Sequence, residues 1–479
     1  MYDIAIIGAG VVGGMLARAL SAYDLSICIL EKEHDAAAGT TCANSGIVHA
    51  GYDAPEGSLK ARLNVQGSLM MERIAGELGV PYRRNGSLVI GFGEEDRETI
   101  RKLYLRGLSN GVSGMQILEG VRVQELEPDL SDCVTCALYA PSCAIICPYE
   151  LAIAAVGNAM DNGAELFCNF EVKHIEKKEG VFEISSDTQS ISAAYVVNAA
   201  GIHGDEVAAM AGDSSIRLRP RRGEYLLLDR ECGSLVSHTI FRTPSERGKG
   251  ILITPTVDGN LLLGPTSQDT EDKEDFSTTA SGLERILALA GENLKSLPYN
   301  KVITSFCGLR AVGNTGDFIL TSPMQGFVNA AGIESPGLSA APAIAEYIVE
   351  LLKKQGMRLR RKEDFQPIRE PAYAFRNASP EEKNQWIRRD KSYGRVVCRC
   401  ETVTEGEIIA AIRANPPARD LDGIKRRTRA QMGRCQGGFC MPYLAEILAR
   451  ELGIPYEAVT KSGAGSEICT GRTKEGSRE

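Results

Sequence analysis

Residues 2–7, Tyr-Asp-Ile-Ala-Ile-Ile, are a short run rich in β-branched side chains, and the glycines after them lead into an Ala/Leu-rich pattern of helical period through Leu20. A second apolar run, 26–30, ends at Glu31. Together these predict a βαβ unit at the very start of the chain, with strands buried on both faces. Further strand-and-turn signals fall at 87–91, 194–198, 225–228, 250–253, 261–264 and 326–330, with helical stretches between several of them. The alternation predicts an α/β chain: a Rossmann-like nucleotide-binding domain within 1–355 that carries an inserted, antiparallel β-rich substrate domain. The nucleotide-binding parts are expected at about 1–80, 145–215 and 300–355, and the substrate domain at about 81–144 and 216–299. From 356 to 395 the text turns basic and proline-bearing, as in Arg358-Leu359-Arg360-Arg361-Lys362, Pro367, Pro371 and Pro380, and reads as a surface-wrapping connector. A small helical segment, 396–455, follows, and 456–479, rich in Gly, Ser and charge, reads as a flexible tail.

The 479 residues suffice for two to four units, and 43% hydrophobic with 24% charged residues is the composition of a globular protein. A net charge of −8 argues against nucleic acid as a partner, since phosphate backbones need a basic field. An anionic small-molecule substrate would need local basic residues. The N-terminus carries Asp3 where a signal peptide needs a basic region, and no apolar stretch reaches the roughly 20 residues of a spanning helix. A cytoplasmic protein is expected, with any membrane attachment peripheral to the inner face. Of 14 cysteines, four group near the C-terminus, which in a reducing compartment favours metal over disulfides.

Gly8-Ala9-Gly10-Val11-Val12-Gly13 joins the first strand to the first helix, with Glu31 closing the second strand. Gly8 permits the tight turn, Gly10 lets backbone approach a pyrophosphate, Gly13 brings helix against sheet, and Glu31 suits ribose hydroxyls. This fingerprint marks an ADP-containing cofactor without separating FAD from NAD. Later residues do separate them. The segment from Gly39 through Thr40, Ser45, Gly46 and His49 to Gly51 resembles the flavin-proximal stretch of the D-amino-acid-oxidase-like FAD superfamily. Val196-Val197-Asn198-Ala199-Ala200-Gly201 resembles the stretch that passes the adenine side, and Gly332-Ile333-Glu334-Ser335-Pro336-Gly337-Leu338 resembles the family's C-terminal FAD motif. The resemblance spans 1–352 and implies FAD, with a helix N-terminus facing the flavin's electron-rich edge.

Cys398-Arg399-Cys400 and Cys435-Gln436-Gly437-Gly438-Phe439-Cys440 supply four thiols with glycines that let a loop wrap an inorganic core. Four thiolates suit a [2Fe-2S] cluster or a structural zinc. The surrounding residues, 398–404 and 425–436, resemble the small domain of bacterioferritin-associated ferredoxin, also found fused to flavoenzymes, which implies [2Fe-2S]. Its second pair here is C-x4-C where the free-standing domain has C-x2-C, a departure shared with the fused versions. Cys133, Cys136, Cys143 and Cys147 form another group, but in apolar surroundings that fit buried thiols.

A flavin that holds two electrons beside a cluster that takes one at a time implies a dehydrogenase serving a redox partner or other acceptor. Oxidation of a secondary alcohol needs a base and cations for substrate charge. His49, in the flavin segment, is the leading base. Arg310 matches the arginine that related enzymes aim at a carboxylate or phosphate. Arg222 and Tyr225 resemble another active-site stretch, and Lys60 is set aside as a surface lysine. The iron–sulfur tail resembles the one that ends the FAD subunit of the anaerobic glycerol-3-phosphate dehydrogenase family, which implies sn-glycerol 3-phosphate as substrate, oxidised to dihydroxyacetone phosphate. Asp53, standing where aerobic glycerol-3-phosphate enzymes carry an arginine, favours L-2-hydroxyglutarate or another 2-hydroxy or amino acid instead. An electron-transfer protein without turnover is a further alternative. Cys307 lies near where some family members attach FAD covalently.

Overall fold

The first strand explains the sheet around it. Ile4 and Ile6 face one side, Ala5 and Ile7 the other, and all four are buried, so an unbroken apolar run becomes the centre of a sheet covered on both faces. The computed structural model describes residues 1–243, 250–371, 374–469 and 471. In it, Tyr2–Ile7 lies between the parallel strands Ile27–Leu30 and Ser190–Asn198. The parallel row continues to Glu165–Phe167 on one side and Phe327–Ala331 on the other. Antiparallel strands extend it: Ile319–Met324 at one edge, and His174–Lys178 with Val181–Ser185 against the first half of Ser190–Asn198. The helices Val11–Ser21, Pro148–Asp161 and Gly337–Lys354 pack together over one face, and Leu59–Leu78 lies against Gly337–Lys354. Ser58 caps that last helix by accepting from Ala61 N–H, and Gly79 ends it at φ +65°.

The second sheet has nine strands, mostly antiparallel, and its own core around Leu88, Leu226, Ile253 and Leu263. Its longest pair is Leu218–Leu228 against Val302–Gly313, in register over nearly the whole length. Apolar pattern alone located only 225–228, because the preceding residues include Arg219, Arg221 and Arg222. They stay extended because each finds a ladder partner in Val302–Gly313, a strand expected in the nucleotide-binding part. Pairing, which composition does not reveal, assigns it to the substrate sheet.

The connector wraps the first domain. Asp24 N–H donates to Arg360 O, Lys362 N–H to Ala22 O, and Arg369 N–H to Glu77 O. The C-terminal module has three helices, Glu405–Arg413, Leu421–Thr428 and Met441–Leu452, a two-stranded ribbon, and a core that includes Ile408, Ile424, Leu444 and Leu448. Thr404 and Glu407 form a capping box at its first helix. The tail differs from expectation through residue 469. Val459 is buried, Thr460 bridges to Glu467, and Gly463 N–H donates to Asp420 Oδ2 at 3.0 Å, so the polar residues there close a loop over a helix start. The expected flexibility of 470 and 472–479 lies outside the described residues.

Candidate active site

The loop after the first strand is too tight for side chains. A Cβ on Gly13 would stand 1.9 Å from Gly8 O, and one on Gly8, whose φ is +107°, 2.4 Å from Ala199 O. Glu31 is buried beneath this loop and holds it: Oε2 accepts Ala9 N–H at 2.7 Å and Oε1 accepts Glu33 N–H at 3.0 Å. Burial pushes its carboxyl up from the ordinary value, against those two hydrogen bonds. Gly10 and Val11 open onto a cavity of about 310 Å³, and Val11 N–H is tied to Thr41 Oγ1 at 3.0 Å.

That cavity runs from the N-terminus of the first helix, past Thr40 and Ser45, to the N-terminus of Gly337–Lys354, where Ser335, Gly337 and Leu338 line it. Gly201 also faces it. Gly8, Gly13, Glu31, Gly46, Ala200 and Gly332 are not in its lining; they shape the turns behind. Gly46, at φ +65°, approaches Ile146 O so closely that a Cβ would stand 2.4 Å away.

A polar chamber of about 240 Å³ adjoins the cavity and shares His49, Asp53, Ser267, Arg310 and Glu334 with it, while Lys60, Asn64 and Arg221 belong to the chamber. The chain thus brings three cationic side chains to one small volume beside His49. Arg310 Nη2 is anchored on Thr266 O at 2.6 Å and Arg222 O at 3.2 Å. Lys60 Nζ meets Glu334 at 2.9 Å and is nearly buried, because Asp317 accepts both Leu59 and Lys60 N–H groups and fixes the helix start. His49 packs on Tyr52 with ring centroids 4.5 Å apart. Its backbone N–H donates to Ser339 Oγ at 2.7 Å, and Nδ1 accepts from Gly51 N–H at 3.1 Å, which places the proton of the neutral ring on Nε2.

The expectation for Arg222 changes. Along Leu218–Leu228 side chains alternate, so Arg221 and Tyr225 share the site's face whereas Arg222 and Glu224 point away. Arg222 is buried and ion-paired with Asp275. Counting back by twos from Tyr225 would have found Arg221. Tyr225 stacks on Phe306 at 4.9 Å, and burial pushes its phenol up to about 12. Cys307 pairs with Glu224 across the ladder, outside the cavity lining, and burial raises its thiol. Lys60, set aside as a solvated lysine, is buried and lines the chamber.

Among the described residues no three His, Cys, Asp or Glu side chains converge on a single ion. The four C-terminal thiols stand as two pairs: Cys400 Sγ is 3.6 Å from Cys435 Sγ, and Cys398 is hydrogen-bonded to Cys440, which draws its thiol down to about 6. The inner pair is buried and Cys400 is exposed. Cys136, Cys143 and Cys147 are buried, Cys133 is exposed, and burial pushes Cys143 up to about 12.

Residues 3–351 match the family described as FAD dependent oxidoreductase. The chain belongs to this family. Residues 396–450 match the BFD-like [2Fe-2S] binding domain. A glycerol 3-phosphate dehydrogenase of Caloramator mitchellensis is 47% identical over 476 residues, 99% of each chain. The human mitochondrial L-2-hydroxyglutarate dehydrogenase is 34% identical over 301 residues, 58% of this chain and 64% of its own. The structure of dithionite-reduced L-α-glycerophosphate oxidase from Mycoplasma pneumoniae, with FAD bound, superposes with a TM-score of 0.74 at 30% identity, covering 77% of this chain and 98% of that one.

As in its family, FAD is the cofactor of residues 3–351, and the glycine loop, the helix N-terminus at Gly337 and the connected cavity are shaped for it. The two thiol pairs fit the other cofactor, [2Fe-2S], in which four cysteines ligate two irons. The basic run 425–429 is used inside the flavoprotein. Arg426 and Arg427 both bind Asp35, while Arg429 binds Asp258 at 2.7 Å and Glu401 at 2.9 Å. Arg429 adopts φ +65°, a conformation uncommon for a residue with a side chain, and these buried ion pairs hold it there. Among the described residues no helix is long and apolar enough to cross a membrane.

Proposed function

We propose that this flavoprotein oxidises sn-glycerol 3-phosphate at C2 to dihydroxyacetone phosphate and discharges the electrons through its iron–sulfur module to an external acceptor. The observation that carries the reading is the polar chamber beside the cavity, where Arg310, Lys60 and Arg221 surround a space that His49 also faces. Lys60 is paired with Glu334 and Arg221 with Asp269, so Arg310 is the guanidinium left to meet a substrate anion there, and the choice of a phosphate over a 2-hydroxy diacid leans on likeness to known proteins. The full-length likeness to a glycerol 3-phosphate dehydrogenase supports it.

Bound FAD supplies the hydride acceptor, and the cluster supplies one-electron exchange. The chain's own residues do the rest. Arg310, its Nη2 pinned by two carbonyls, offers its remaining donors to the substrate anion without reorganising. Glu334 and Asp317 keep Lys60 at the chamber wall. As a base, His49 must present a ring lone pair. The one it has is on Nδ1, engaged by Gly51 N–H; Asn64, with its amide oriented to satisfy both neighbours, accepts from the same N–H at 3.0 Å and can take that bond over. The substrate's hydroxyl proton then goes to the imidazole. Tyr52 and Phe241 pack on the ring and limit water around it.

The test is anaerobic addition of sn-glycerol 3-phosphate, L-2-hydroxyglutarate and amino acids to the holoenzyme while flavin absorbance is followed. Bleaching by glycerol 3-phosphate at the lowest concentration is expected; preferential bleaching by L-2-hydroxyglutarate would replace the substrate assignment.

A further inference from the structure

The iron–sulfur module meets the rest of the chain mostly through charge: Asp35 of the flavin-binding part with Arg426 and Arg427, and Asp258, Asp229 and Glu231 of the substrate domain with Arg429 and Arg434. Among the contacts that are not ion pairs, such as Asn415 Nδ2 donating to Asp161 Oδ1 at 2.9 Å, one lies next to the cluster ligands. Tyr149 Oη lies 3.4 Å from Met432 Sδ, a phenol against a polarisable thioether.

What stands on each side of this contact gives it a role. Toward the flavin cavity, Tyr149 sits in the first turn of Pro148–Asp161, three residues after Ile146. Ile146 N–H donates to Gly46 O at 2.8 Å, and Gly46 is flanked by Ser45 and Ile47, both in the cavity wall. Toward the thiols, Met432 precedes Gly433, whose missing Cβ would stand 2.3 Å from Cys400 Cβ, so the backbone there lies directly on a cluster ligand. Cys435 follows two residues later. Bonded and touching atoms therefore run from the cavity wall to the outer thiol pair, and on this route the two parts of the chain meet at Tyr149–Met432. Arg429 Nη1, 3.4 Å from Tyr149 Oη, and burial, which keeps the phenol protonated far above neutral pH, hold the ring in place as a neutral group.

We propose that Tyr149 and Met432 form the electron bridge between the flavin and the cluster, an inference that rests on the reading that the cluster discharges the flavin. Each passage removes one electron from the reduced flavin and reduces the oxidised cluster by one; neither side chain is itself oxidised. Two passages restore oxidised FAD, its protons leave to solvent, and the cluster hands each electron to an external one-electron acceptor.

The holoenzyme variants Tyr149→Phe and Met432→Leu remove the contacting atoms while keeping most of the volume. After anaerobic mixing with sn-glycerol 3-phosphate, flavin bleaching should keep its wild-type rate while the EPR signal of the reduced cluster grows about tenfold more slowly. Iron content, the dithionite-reduced EPR spectrum and the cluster's midpoint potential should match wild type, which a displaced module would not allow. Wild-type rates of cluster reduction in both variants would overturn the bridge and leave the reading of function standing. A wild-type cluster that stays oxidised while the flavin bleaches would sink both.

Discussion

Replacing Asp35 by Asn should loosen the iron–sulfur module from the flavin-binding part. Asp35 is 5% exposed and accepts three charge-assisted hydrogen bonds at 2.7 Å, one from Arg426 and two from Arg427. Burial alone would raise its carboxyl; the two guanidiniums outweigh burial and hold it at about 2, against an ordinary 3.8. That difference corresponds to about 2 kcal/mol favouring the ionised, docked state. Removing one partner of a buried pair costs about 3–5 kcal/mol because the remaining charge is left uncompensated. Asn keeps the shape and part of the hydrogen bonding, so a loss of about 2–4 kcal/mol is expected. The carboxyl is depressed in the folded state. Its contribution is therefore complete above the unfolded value of 3.8 and is lost as pH falls through about 2. Urea unfolding is the assay, followed by cluster absorbance and by the fluorescence of Trp386, the chain's one tryptophan, which packs at 5.0 Å from Tyr393 beside the module. Other ion-paired carboxylates such as Glu77 and Glu405 titrate in both proteins, so wild type should lose about 2 kcal/mol more than Asp35→Asn on acidification across that window. Unfolding of the variant within about 0.5 kcal/mol of wild type at neutral pH, with an unchanged acid limb, would refute the clamp.

His49→Asn should lower the rate of flavin reduction by about 10²–10⁴ while flavin content stays constant, and full activity would remove His49 as base. Arg310→Lys, which loses the planar fork, should raise KM for sn-glycerol 3-phosphate by about tenfold to a hundredfold in steady-state assays. Arg221→Gln should raise KM in the same assays, whereas Arg222→Gln should lower thermal stability instead; the opposite pattern would reverse the strand faces assigned to them. Gly13→Ala should purify without flavin, judged by the ratio of visible to ultraviolet absorbance, because its Cβ would overlap Gly8 O.

Local rules carried much of this fold. The strand 2–7, its glycine turn and the helix after it could be read directly, because apolar runs and glycine spacing act over a few residues and mean the same thing in most contexts. The cysteine spacing likewise announced the module. Arg217, Arg219 and Arg221 alternate with Leu218 and Pro220, but Arg222 breaks the pattern and drew the assignment; the pairing with Val302–Gly313 confirms that Arg221 shares the chamber's face. Lys60 was set aside because a lysine on a helix is usually solvated, and its burial depends on Glu334, 274 positions away.

The amino-acid order by itself determined an ADP-binding loop, a four-thiol set and the class of fold, while the choice of FAD and [2Fe-2S] came from likeness to known families. Tertiary structure alone decided what the charges do. Arg426, Arg427 and Arg429 are a basic run in the sequence, and only the fold brings Asp35, Asp258 and Glu401 within hydrogen-bond distance of them. The physical reason is that an ion pair is defined by separation in space and by burial, and neither quantity is encoded at the position of the charge itself.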